Sequence, residues 1–202
     1  MSDPHAHKDD QSLNPHKEHA NLPRGYRILA GHPSIPEYLA LRRQAGGLSP
    51  KTAIQAEKAM GGSWYAAYIV STKANPDATQ HLNESQADLM NRNEGETAVA
   101  MARVIGDGGW YFHIIDFAVL PKHQRKGLGQ ALMADILNRI RKEAPPGAYV
   151  NLIANDKGQA LYGKFGFKEP VGDLGMELRM EYPEGAGPDD EKIPRVDETR
   201  AG

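Results

Sequence analysis

Residues 110–120 form an apolar, strand-like run. Past Pro121 the chain passes through Gln124-Arg125-Lys126-Gly127-Leu128-Gly129-Gln130 into a helix-like stretch that reaches residue 143. No other feature constrains the fold as tightly. Leu128, Leu132, Ile136 and Ile140 recur every four residues, and Met133 and Leu137 widen the stripe, so this is an amphipathic helix with one face to bury. Arg139, Arg141 and Lys142 fall in its last turns, where cations suit the helix dipole, and Pro145-Pro146 end it. A strand, a glycine-rich turn and a long amphipathic helix in succession point to a sheet with a helix packed across it.

The turn itself predicts a ligand. Two glycines at a strand-to-helix junction let the backbone come close to a guest. The free N–H groups of the first helical turn and the helix dipole favour an anion there. Gln124, Arg125 and Lys126 add polar and cationic groups at the same point, so a pyrophosphate is the natural guest. A Walker A loop is absent. A dinucleotide fingerprint beginning at Gly127 fails, because Leu132 occupies the third glycine position and the glycines come several residues after the strand ends.

The remaining elements are shorter. Residues 26–30 read as a strand, and Ser34-Ile35-Pro36-Glu37 carries a capping-box signature for a helix that ends near Gly46-Gly47. Ser49-Pro50 opens a second helix, stopped by Gly61-Gly62. Strands follow at 64–71 and 97–105, with a hairpin turn at Gly106-Asp107-Gly108-Gly109. Residues 149–154 read as a strand, 157–164 as a short helix and 176–182 as a last strand, with one further strand near Phe167. The predicted class is α/β, a mixed and mostly antiparallel sheet flanked by helices, with one parallel crossover pairing the 110–120 and 149–154 strands. Residues 1–24 and 183–202 read as polar and acidic flexible tails around one domain at 25–182, interrupted by a polar insert at 72–96.

Composition removes several functions. The 202 residues carry a net charge of −2, so no general attraction to nucleic acid or anionic lipid follows. No apolar run is long enough to cross a bilayer. The polar residues 1–10 are unlike a secretory signal, and a cytoplasmic location is expected, with a nuclear one left open. The absence of cysteine excludes disulfides and an acyl group parked on an enzyme thiol. No metal is expected, because His5, His7, His16 and His19 lie in a tail without ligand partners at structured spacing. The Glu94–Glu96 and Asp189–Glu191 clusters read as solvated charge.

A Q-x-x-G-x-G turn ahead of an amphipathic helix, on a strand ending in Val119-Leu120-Pro121, resembles the acyl-CoA loop of the GNAT N-acetyltransferase superfamily. Asn155, then Ala160-Leu161-Tyr162 and Phe165-Gly166-Phe167, resembles its second signature, and the two lie in the expected order. The resemblance implies direct transfer of acetyl from acetyl-CoA to a primary amine. It implies that Gln124, Arg125, Lys126, Gly127, Leu128, Gly129 and Gln130 surround the pyrophosphate, with Arg125 and Lys126 equally readable as solvated charge. It further implies that Phe117, Ala118 and Val119 lend backbone groups to the pantetheine amides, and that the two parallel strands splay to admit the thioester.

Such chemistry needs a neutral amine and a proton for the leaving thiolate. Tyr162 matches the family tyrosine that protonates the CoA sulfur, against a plain core role beside Leu161 and Phe165. For the base, His113 and Asp116 compete with each other and with a water chain to bulk solvent. Asn155 is either a cofactor contact or a helix N-cap. By the resemblance the acceptor wall comprises 41–60, with Arg42, Arg43 and Lys51, together with Trp64, Tyr65 and 170–174. It lacks an acidic cluster for a polycation, which favours a small-molecule amine. Protein lysine or N-terminal amines, and a noncatalytic acyl-CoA sensor, are the alternatives. Whether the chain works alone or as a homodimer is left open.

Overall fold

The computed structural model describes residues 22–72, 96–172 and 175–178. Five strands line up in chain order: β1 (Tyr26–Ala30), β2 (Tyr65–Ser71), β3 (Thr97–Gly106), β4 (Tyr111–Val119) and β5 (Tyr149–Leu152). The first four pair antiparallel, and β4 with β5 pairs parallel. The helices are α1 (Ile35–Ala45), α2 (Ala53–Gly61), α3 (Leu128–Glu143) and α4 (Asp156–Gly163), with a 3-10 turn at Pro121–His123. This is the mixed, mostly antiparallel sheet with one parallel pair that the sequence predicts.

Two apolar layers sandwich the sheet. On one face Leu128, Leu132, Met133, Ile136, Leu137 and Ile140 of α3 pack on Val99, Val104, Phe112 and Ile114. On the other, Tyr38 and Leu41 of α1 and Ala56 of α2 meet Ala98, Met101 and Ala118. Trp64 and Tyr65 belong to the α3 layer and not to the expected acceptor wall. The Trp64 ring stands edge-on to Phe112 at 4.8 Å, and the Tyr65 hydroxyl donates to Asp135 Oδ2 at 2.8 Å.

Local chemistry corrects three boundaries. The second helix begins behind Thr52, whose Oγ1 accepts from Gln55 N at 3.2 Å while Gln55 Oε1 accepts from Thr52 N at 3.0 Å. Ser49 stays outside it because its carbonyl is taken by Arg42, at 2.8 Å from Nη2. No strand forms near Phe167, since its N–H closes the end of α4 on Tyr162 O at 3.3 Å, next to Gly166 at φ +88°. Residues 176–178 are not in a strand, and 179–182 lie outside the described residues, as do 1–21 of the predicted tail 1–24, 73–95 of the predicted insert 72–96, and the tail 183–202. Glu96 is not solvated: it is 7% exposed and pairs with Arg27 at 2.7 Å.

Glu37 fastens α1 to the sheet. Its Oε2 accepts from Ser34 N at 3.1 Å and Ser34 Oγ at 2.8 Å, while Oε1 accepts from Ala98 N at 3.0 Å. That last N–H lies where the β2–β3 register slips, so the ladder leaves it to a side chain. Glu37→Ala should therefore lower the unfolding free energy by about 2 kcal/mol, with a smaller loss in Glu37→Gln. An unchanged urea midpoint in the alanine variant would contradict this role.

Candidate active site

Strand β4 bulges where the site begins. Met101 pairs with Ala118 and Arg103 with Ile115, so Asp116 and Phe117 together face Ala102. Asp116 adopts φ +51°, a left-handed conformation that Asp tolerates better than most residues. The bulge turns its carboxylate into the α1 layer. There Tyr38 O–H and Arg103 Nε donate to Oδ2, the latter at 2.7 Å, and Arg42 Nη1 donates to Oδ1. Burial pushes the Asp116 carboxyl up, but Arg42, the Tyr38 hydrogen bond and Arg103 outweigh it and leave the group below its ordinary range. Both oxygens are therefore engaged and the anion is stabilised, which suits holding the bulge and not taking up a proton.

The parallel ladder stops at Ile114 opposite Leu152, although β4 continues to Val119. The strands part there. A cleft of about 300 Å³ opens between Ile114, Ile115, Asp116 and Phe117 on one side and Leu152 to Asn155 on the other, closed by Gly47, Leu48 and Tyr162. Of the expected acceptor wall, Gly47 and Leu48 reach this cleft, whereas Arg42 is buried behind the bulge and Arg43 is exposed. The residues that sequence reading missed are Tyr38, Arg103 and Gly158. Tyr38 and Arg42 share a face at helical spacing, and Arg103 interrupts an apolar strand, so each carried a signal.

Tyr162 enters the cleft from α4. Its ring stands edge-on to Phe117 at 5.8 Å and to Phe167 at 6.3 Å, and burial raises its pKa, so the hydroxyl keeps its proton across the neutral range. The ring lies over Gly158, where a Cβ would come within 2.6 Å of Tyr162 Cε2. Asn155 also lines the cleft, and its Oδ1 accepts from Gly158 N at 3.0 Å as the cap of α4. His113 sits farther down the paired region, with Nδ1–H donating to Asn151 Oδ1, and it is not among the cleft-lining residues.

The glycine loop abuts the same cleft. A Cβ on Gly129 would meet Leu161 at 3.2 Å and Phe117 at 3.6 Å, so glycine lets the start of α3 press on both. Arg125 at φ +61° and Gly127 at φ +82° turn the backbone left-handed twice before the helix, a curl that gathers N–H groups for an anion. Gln124 is a latch, its Nε2 donating to Val119 O at 2.9 Å. Lys126 Nζ donates back to Lys122 O at 3.0 Å and to the Tyr26 hydroxyl oxygen Oη at 3.2 Å. Tyr26 O–H in turn meets His123 Nδ1 at 3.0 Å, whose pKa is lowered by burial and by Lys126 and Lys122. The loop backbone, the β4 edge that no described strand pairs past Ile114, and the cleft are suited to an extended ligand with an anionic group. Among the described residues no His, Asp or Glu cluster could hold a metal, and no helix is long and apolar enough to cross a membrane.

Residues 57–175 match the family model for an acetyltransferase (GNAT) domain. A Staphylococcus aureus structure, described as a protein of unknown function and "Probable Acetyltransferase", shares 30% identity over 78% of this chain and 99% of its own, with TM-score 0.60. A GNAT family acetyltransferase from Streptococcus pneumoniae shares 20% identity over 76% of this chain and 99% of its own, with TM-score 0.50. The ribosomal-protein-S18-alanine N-acetyltransferase of Escherichia coli shares 18% identity over 72% of this chain and 79% of its own, with TM-score 0.50, a likeness of fold alone. No curated protein sequence matches.

Asp116→Ala strands two buried guanidinium groups and should cost about 3–5 kcal/mol of stability. The folded carboxyl has the lower pKa, so its stabilisation is complete above the unfolded value of about 3.9 and is lost as pH falls through the folded one. Acid unfolding of the wild type should contain a component that Asp116→Asn lacks. Superimposable acid profiles for the two proteins would contradict this account.

Proposed function

The chain belongs to the GNAT acetyltransferase family, and we propose that it moves the acetyl group of acetyl-CoA directly to the primary amine of a small molecule within one ternary complex. The observation that carries this reading is the cleft where β4 and β5 part, with a protonated tyrosine at its wall and the glycine loop at its side. The N–H groups from Gln124 to Gln130 hold the pyrophosphate. The β5-facing edge of β4 at Phe117, Ala118 and Val119, which among the described residues has no strand partner past Ile114, takes the pantetheine amides in β-like fashion. Asn155, committed through Oδ1 to its cap, has its amide nitrogen left for the same ligand.

In the transfer the amine nitrogen attacks the thioester carbonyl carbon, the C–N bond forms, the C–S bond breaks and the electron pair leaves on sulfur. Tyr162 O–H donates its proton to that sulfur. With no cysteine in the chain, an acyl-thiol enzyme intermediate has no residue to form on. Neither side-chain base candidate is well placed. Asp116 is held as an anion by three donors, and His113 is bonded to Asn151 away from the cleft lining. The amine therefore reacts as the neutral species and its surplus proton leaves to water. Lys126 and Gln124 act by shaping the loop, and Arg125 is the cation left to meet a phosphate.

Tyr162→Phe should lower kcat by about 10²-fold while calorimetric CoA affinity stays within about twofold of wild type. Unchanged turnover would remove Tyr162 as the acid. Acetyl-CoA binding without thiol release across a broad amine panel, with products followed by mass spectrometry, would favour a noncatalytic sensor.

A further inference from the structure

The floor of the cleft carries surplus positive charge. Arg42 and Arg103 are each 5% exposed, and among the described residues Asp116 is the one carboxylate paired with either. Their other hydrogen bonds go to neutral atoms. Arg42 donates from Nε and Nη2 to Ser49 O, and Arg103 Nη1 donates to Ala59 O and to Ser63 Oγ. Two guanidinium groups against one carboxylate leave one formal charge in excess, offset in part by the carbonyl ends of α1 and α2, in a region of low dielectric. Asp116 itself lines the cleft, so that charge lies one side chain behind the space an acceptor must occupy.

Glu37 of α1, the other buried carboxylate of this layer, is bonded to Ser34 and to Ala98 N, and among the described residues neither arginine is paired with it. From α1, Tyr38 is a phenol whose pKa is raised by burial and by Asp116. From the segment before α1, His32 bonds to Ser63 Oγ at 3.1 Å, and its pKa is lowered by burial and by the charge of Arg103. Tyr68 of β2 packs against the same layer, and His113 on β4 carries no negative charge in any form. Across the cleft on α4, Tyr162 stays protonated.

We propose that this surplus charge selects the acceptor by its basicity. The cleft takes weakly basic α-amines, of the kind carried by an amino acid derivative, and excludes alkylammonium ions and polycations. The inference rests on reading the cleft as the site of acetyl transfer. An ammonium group beside a buried cation is disfavoured, so the site draws neutral amine from solution and does not bind the cation first. At neutral pH about a tenth of an α-amine with pKa near 8 is neutral, against well under a thousandth of an alkylamine with pKa near 10.4. Arg42 and Arg103 thereby act through electrostatics as positioning residues, without touching the reacting atoms.

The test uses the full chain with saturating acetyl-CoA and three acceptors: alaninamide, trialanine and butylamine. At pH 7 wild type should turn over at least one α-amine about 100-fold more efficiently than butylamine. Alaninamide leading trialanine identifies a small-molecule source, and the reverse a peptide N-terminus. The acidic limb of kcat reports the bound amine. Arg103→Gln should move it up by roughly one pH unit and Asp116→Asn should move it down. Arg42→Gln repeats the first arm should Arg103→Gln fail to fold. Butyltrimethylammonium, a cation that cannot be acetylated, should inhibit Arg103→Gln about tenfold more strongly than wild type. A purely structural role lowers rates without opposite displacements of the limb. Limbs that stay fixed, move together or vanish in Asp116→Asn would overturn the inference alone, as would butylamine matching the α-amines. Wild type without turnover on any amine would overturn this inference and the transfer reading together.

Discussion

The Arg42–Asp116–Arg103 cluster is the interaction on which the rest of the molecule depends. One carboxylate joins α1, β3 and β4 and, through Arg103, reaches the end of α2 at Ala59. Without it, α1 would be held to the sheet by apolar contacts and by Glu37 on Ala98 N, and β4 would have no reason to hold a left-handed residue in mid-strand. Removing two cations and an anion from water is expensive, and good geometry recovers only part of that cost. The cluster is better explained by the conformation it imposes than by the stability it adds. It fixes where β4 bends, and the bend lies at the level where β5 departs.

Most of the frame was legible in the sequence because it rests on short-range rules. The α3 stripe from Leu128 to Ile140 is buried as its spacing requires, and the glycine turn lies at a strand–helix junction. The second signature, from Asn155 to Phe167, forms a capped helix with Tyr162 facing the cleft. Boundaries failed where a side chain from elsewhere decided them. Ser49 looks like a helix cap locally, but Arg42 claims its carbonyl, and Thr52 with Gln55 takes the cap. Phe167 has strand character, yet its N–H is spent on the end of α4.

The site was legible as a set of residue types and less so as a set of roles. Asp116 in an apolar strand announces a partner, but sequence cannot say that two arginines from different elements supply it. Gln124 reads as a ligand group and Lys126 as a ligand group or solvated charge, and the side chains of both brace the loop against Val119, Lys122 and Tyr26. Trp64 and Tyr65 read as a wall for the acceptor. Period-2 alternation gives no sign of which sheet face is which, so Tyr65 was free to fall on the α3 side, and Trp64 lies just before β2, outside the alternation.

Gly158 carries a different kind of information. The Tyr162 ring occupies the volume that any β-carbon at position 158 would need, one helical turn earlier. The direction of the phenol is thus set by a side chain that is missing, and α4 accepts the lower helix propensity of glycine to permit it. A residue can be indispensable to a site while contributing no atom to it beyond the backbone. An alanine at position 158 would therefore have to displace the Tyr162 ring, although nothing about its own chemistry would reveal the restriction.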